Sequence, residues 1–134
     1  MKFKKIKKLT VLSSVLLGTL VLSGSALAAS SVSGLLGGVT PVSGYVNLGF
    51  DSATAATSCA KSNCSVTARS TYFYYDGVNG QEKSTSPKEA SGFVQVSATA
   101  SSVSAPTRAV RGTGYHRAND GGPQTWQENT VIYP

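Results

Sequence analysis

SVTARSTYFYYDGVNGQEKST, residues Ser65 to Thr85, carries the clearest local signal in the chain. Its first half alternates with a period of two. Val66, Ala68, Tyr72 and Tyr74 fall on one face, and Thr67, Arg69, Thr71, Phe73 and Tyr75 on the other, as successive side chains of a strand do. Threonine, valine and aromatic residues suit a pleated strand. Asp76-Gly77 and Asn79-Gly80 follow, supplying the positive φ values that tight hairpin turns require. The run then returns as Gln81-Glu82-Lys83-Ser84-Thr85, almost wholly polar. A strand that polar belongs at a sheet edge, where a lysine also discourages pairing with another chain. Ser86-Pro87-Lys88 ends it. The stretch reads as a β-hairpin.

Outward from the hairpin the same period recurs. Tyr45–Phe50 alternates, with Val46, Leu48 and Phe50 on one side. Residues 51–63 are rich in Ala, Ser and Thr and fit a loop, a weak strand or one helical turn. Gly92–Ala100 alternates again, placing Val94, Val96, Ala98 and Ala100 on a core side. Thr107–His116 is a further strand, in which Gly112 and Gly114 mark a bulge or a close backbone approach. Asn119–Pro123 is a loop, and Gln124–Tyr133 a last strand. Short strands separated by turn signals, with no convincing helix, predict an all-β chain. The expectation is a single antiparallel β-sandwich or small barrel of about six strands. Trp126, Phe50, Phe93 and the tyrosines are expected to supply much of its buried area.

The beginning of the chain has a different character. Lys2, Lys4, Lys5, Lys7 and Lys8 precede an apolar run from Leu9 to Leu22, and Ala26-Leu27-Ala28 follows. That order is the n-region, h-region and cleavage site of a helical secretory signal peptide, with cleavage after Ala28 or Ala29. The run is short against the roughly 20 apolar residues of a spanning helix. A long lysine-rich n-region suggests a Gram-positive source. The domains expected are therefore a signal peptide over 1–28, a flexible Ser/Gly-rich arm over 29–43, and a β-sandwich over 44–134. Without the leader, seven basic residues face six acidic ones, a net charge near +1. The high pI belongs mostly to the leader, so the chain does not read as a nucleic-acid binder. The expected location is secreted and extracellular, with the membrane involved only during export.

Candidate chemistry is sparse. Cys59 and Cys64 are the only cysteines. In an exported chain they suggest one disulfide, with free thiols or an intermolecular bridge as alternatives. No metal or cofactor is expected, since only His116 offers a typical third ligand. His116 is the sole histidine, and Asp120 follows it. No G-x-S-x-G elbow places a nucleophile beside them, and a triad is known by geometry. Of the carboxylates, Asp76 and Asp120 sit in turns, and no pair stands out for glycoside hydrolysis. The chain reads as no enzyme. The candidate binding surface comprises Tyr72, Phe73, Tyr75, Tyr115, His116 and Trp126, because Tyr and Trp platforms stack on sugars or partner chains.

Tyr74-Tyr75-Asp76-Gly77, Gly114-Tyr115-His116 and Gly122-Pro123-Gln124-Thr125-Trp126 resemble segments of small secreted β-proteins of Gram-positive bacteria, most of unknown function. A weaker likeness is to secreted β-sandwich bacteriocins of the lactococcin type. Those are generally shorter and lack a cysteine pair, so no functional residue carries over. The expectation is a secreted, non-enzymatic interaction module at or near the cell surface, with a cell-wall glycan or another surface protein as partner. A bacteriocin-like antagonist is the alternative reading, and a small cell-wall or glycan-active enzyme a third.

Overall fold

A computed structural model describes residues 28–77 and 80–134. The signal-peptide reading, apart from Ala28, lies outside the described residues, as does Asn79 of the hairpin turn. The described chain is all-β, with nine antiparallel strands in two sheets: β1 (Ala28–Leu36), β2 (Thr40–Leu48), β3 (Ser52–Cys59), β4 (Ser65–Asp76), β5 (Glu82–Ser84), β6 (Lys88–Phe93), β7 (Gln95–Ser101), β8 (Pro106–Asn119) and β9 (Thr125–Ile132). Sheet A runs β1-β2-β3-β7. Sheet B runs β5-β4-β8-β9, and β6 continues the β5 edge along the other half of β4. The two sheets pack face to face in a sandwich-like arrangement.

More strands form than the roughly six expected, for local reasons. The stretch read as a flexible arm, residues 29–43, instead makes β1 and the start of β2, paired from Ala28↔Leu48 to Leu36↔Thr40. Gly37 and Gly38 both have positive φ, 62° and 79°, and Val39 N–H donates to Leu36 O at 3.2 Å. That is the mirror-image turn that matches strand twist. The indefinite stretch 51–63 supplies β3. The polar return of the hairpin is interrupted, so β5 covers Phe73–Tyr75 and β6 covers Ser65–Ser70 along one edge of β4. Gly92–Ala100 is two strands in different sheets. The chain crosses between them at Val94, whose φ is 70°, a rare conformation for a β-branched residue.

The disulfide braces this corner. Cys59 at the end of β3 is bonded to Cys64 just before β4, and both are buried. Cys59 N–H donates to Val94 O at 2.8 Å, and Val94 N–H donates to Cys64 O at 3.0 Å. The bridged loop thus holds the crossing residue through both of its backbone groups.

The interior is made of small residues around a few large ones. Tyr72 and Tyr74 are buried and stack at 5.2 Å, beside Val46, Leu48, Ala53, Ala100 and Ala109. A second cluster gathers Leu36, Val42, Val66, Ala118 and the disulfide. Hydroxyls tie the sheets together. Ser70 Oγ donates to Ala53 O at 2.7 Å, Thr57 Oγ1 donates to Thr67 O at 2.8 Å, and Tyr72 Oη donates to Phe50 O. Phe50 and Phe93, expected in the core, are 54% and 67% exposed. Phe50 lies between β2 and β3, and Phe93 is the last residue of an edge strand. Trp126 is half-buried. It leans across to β1, where a Cβ on Gly34 would come within 2.5 Å of its Nε1.

Candidate functional site

Charge is divided unevenly between the sheets. No strand of sheet A contains an Asp, Glu, Lys, Arg or His. All four arginines of the chain lie on β4 and β8 of sheet B. The alternation that buries Val66, Ala68, Ser70, Tyr72 and Tyr74 turns Thr67, Arg69, Thr71, Phe73 and Tyr75 to the outside. The β8 register then sets Arg117 opposite Thr67, Tyr115 opposite Arg69, Thr113 opposite Thr71, Arg111 opposite Phe73 and Arg108 opposite Tyr75. Arg108 and Arg111 are three apart and would fall on opposite faces of a regular strand. A bulge lets both face out. The register slips between Phe73 and Tyr74 and leaves Val110 without a partner, which re-aims the side chains beyond it.

Phe73, Tyr75 and Tyr115 on this face each lie under a guanidinium, whereas Phe93, which β6 sets opposite Ser65, is exposed with none over it among the described residues. The centroid distances are 3.8 Å for Arg111 on Phe73, 4.5 Å for Arg108 on Tyr75 and 5.0 Å for Arg69 on Tyr115. Such cation–π contacts are worth about 0.5–1 kcal/mol each at exposed sites. Arg69 also bonds Glu89 at 2.6 Å, and Arg111 lies 3.4 Å from Glu82. Arg108 and Arg117 have no carboxylate partner among the described residues. Four arginines against two glutamates leave the face positive. Two hollows open on it. One, of about 240 Å³, is lined by Arg69, Tyr115, Thr71, Thr113, Asn129 and Val131. The other, of about 440 Å³, lies toward the end of the face among Arg108, Tyr75, Val110, Phe50 and Pro134.

The residues singled out in the sequence separate into three places. Phe73, Tyr75 and Tyr115 are on the outer face. Tyr72 is fully buried and belongs to the core, because β4 buries the Tyr72/Tyr74 face. Trp126 is half-buried where β9 approaches β1. His116 is also fully buried. The sequence placed it on a surface because it is polar, but it shares the inward register of Gly112, Gly114 and Ala118. Room for its ring comes from glycine. A Cβ on Gly44 would overlap the imidazole, and one on Gly114 would come within 2.8 Å of its Nε2.

Both ring nitrogens are engaged. Thr57 has already given its hydroxyl proton to Thr67 O, so His116 Nδ1–H donates to Thr57 Oγ1 at 3.0 Å. In the neutral ring Nε2 then accepts from Thr130 Oγ1 at 2.8 Å. Burial pushes the histidine down from 6.5 to about 4, against an opposing backbone hydrogen bond to Ala56. Asp120 does not join it. Its carboxyl is held below the ordinary carboxylate range first by the Gly122 amide and further by Lys61. Among the described residues no three metal-ligating side chains converge.

The four arginines were not singled out in the sequence. Arg69 was legible as a neighbour of Phe73 and Tyr75 on one face. The three on β8 were not, because their common orientation needs both the β4–β8 register and the bulge. Comparison with family models, with curated proteins and with solved structures finds no match to this chain.

Proposed function

We propose that this chain is an exported, non-enzymatic binding module that acts at or near the cell surface through the outer face of sheet B. The observation that carries the reading is the gathering of every arginine, with three aromatic rings, onto one face of a sandwich whose other sheet has no charged strand residue. A folded core does not require that segregation, and surface recognition uses Arg, Tyr and Phe. Export is supported by the leader-like order of residues 1–28 and by the disulfide, which suits an oxidising compartment. The rigid β4–β8 pair presents the side chains without a loop that must be ordered on binding.

The test is cosedimentation with purified bacterial cell wall of protein expressed from the full sequence. Tyr75→Ala with Tyr115→Ala should abolish retention while the circular dichroism stays unchanged. Retention that survives these substitutions, or no retention of the unaltered protein, would overturn the reading.

A further inference from the structure

The outer face differs from an open aromatic platform in one respect that bears on its ligand. Phe73, Tyr75 and Tyr115 each lie beneath a guanidinium, so an approaching ligand meets the arginine plane before it meets the ring. The stacking holds each fork in one orientation, and a preorganised fork suits the two-oxygen geometry of carboxylate, sulfate or phosphate. We propose that this face binds an acidic polysaccharide, whose carboxylate or sulfate groups are taken by the guanidinium groups of Arg108 and Arg117, which have no carboxylate partner among the described residues. The proposal rests on reading the outer face as the binding surface and names the ligand class for it.

Three observations favour a charged sugar chain over other polyanions. First, the excess charge is small: Glu89 and Glu82 already engage Arg69 and Arg111. A nucleic acid draws its affinity from many phosphate contacts and from free ring faces for its bases, and here the rings of Phe73, Tyr75 and Tyr115 are covered. Second, the space around the arginines is lined with uncharged hydrogen-bonding groups, Thr71, Thr113 and Asn129 in the smaller hollow. These suit a ligand rich in hydroxyls. Third, the two hollows are separated along β4 by the four steps from Thr71 to Tyr75, roughly 14 Å at strand rise, with Arg111 between them. That spacing fits an extended chain carrying repeated charges.

The experiment compares polygalacturonate with its methyl-esterified form, which share a backbone and differ in charge. Protein expressed from the full sequence is titrated with each by calorimetry. Binding to the acid form should be at least tenfold tighter than to the ester and should weaken as salt rises. Arg108→Gln with Arg117→Gln breaks no ion pair on the face and should lower affinity for the acid form at least tenfold while the circular dichroism stays unchanged. Equal affinity for acid and ester would overturn the acidic-ligand inference while leaving a glycan-binding face standing. Binding of neither polymer would overturn the inference, and cosedimentation with cell wall then decides the wider reading separately. Tighter binding to oligothymidylate or to phosphatidylglycerol vesicles would overturn it in favour of those polyanions.

Discussion

Acidification should weaken the fold through His116, and the size of the effect follows from where the ring sits. It is enclosed by Gly44, Gly114, Thr57 and Thr130, with no water-facing surface. Burial lowers its pKa from 6.5 to about 4. Between those values the unfolded chain holds a proton that the folded chain does not. Stability therefore rises with pH across that window. The contribution is complete above about pH 6.5 and is lost as the pH falls toward about 4. At about 1.4 kcal/mol per pH unit the whole window is worth about 3 kcal/mol, a large share of the total stability of a domain this size. The neighbour able to offset the new charge is Glu128, which pairs with His116 across β8 and β9 and is solvent-exposed. Screening by water limits its help. The assay is urea unfolding followed by the fluorescence of Trp126 at several values from about pH 7 to about pH 4.5. His116→Gln stays neutral throughout, so its loss of stability over that range should be smaller by about 2–3 kcal/mol. The difference between the two proteins removes the contribution of carboxylates such as Asp120. Parallel pH profiles for the two proteins would refute the reasoning, because they would show that protonating His116 costs the folded state nothing.

Three further outcomes follow from other parts of the interior. Val94→Gly should raise stability by about 0.5–1 kcal/mol, since the left-handed conformation costs an L-residue about 1–2 kcal/mol and glycine recovers most of it. The Val94 side chain is 42% exposed and loses little packing, so a melting temperature at or below the parent's would count against this account. Replacing Cys59 and Cys64 together by serine should cost about 2 kcal/mol from loop closure, with amide exchange rising first at the corner they brace, around Val94. Gly44→Ala should destabilise by about 3 kcal/mol, as expected of overpacking against a buried ring. A Gly44→Ala, His116→Ala double variant should recover part of that loss, and strict additivity of the two changes would argue that the glycine and the ring do not meet.

Period and turn chemistry made the strands legible where both signals were strong, as in β4. The arm over 29–43 misled because its inward positions, Ser30, Val32, Gly34 and Leu36, include a serine and a glycine that dilute the apolar alternation. The glycine is needed because Trp126 occupies the space its side chain would fill. Gly37-Gly38 read as flexibility when it is a turn. Phe93 was misplaced because its pairing with Ser65 turns it to the outer face of sheet B, and the chain leaves for the other sheet at the next residue.

What the amino-acid order determined alone is local: the all-β character, the aromatic strand with its turn, the cysteine pair close enough in the chain to bridge, and the leader-like opening. These depend on residues within a few positions of one another. The tertiary structure decided which face of each strand is inward, and with it the identity of the candidate site. Tyr72 and Tyr74 are core, while Phe73 and Tyr75 face water, because β3 and β7 of the other sheet pack against one face of β4. His116 is interior because Gly44, from the other sheet, leaves room for its ring. Arg108, Arg111 and Arg117 join Arg69 only after β8 has paired with β4 and bulged at Val110. Pairing between strands more than thirty residues apart sets those positions, and no short window of sequence contains it.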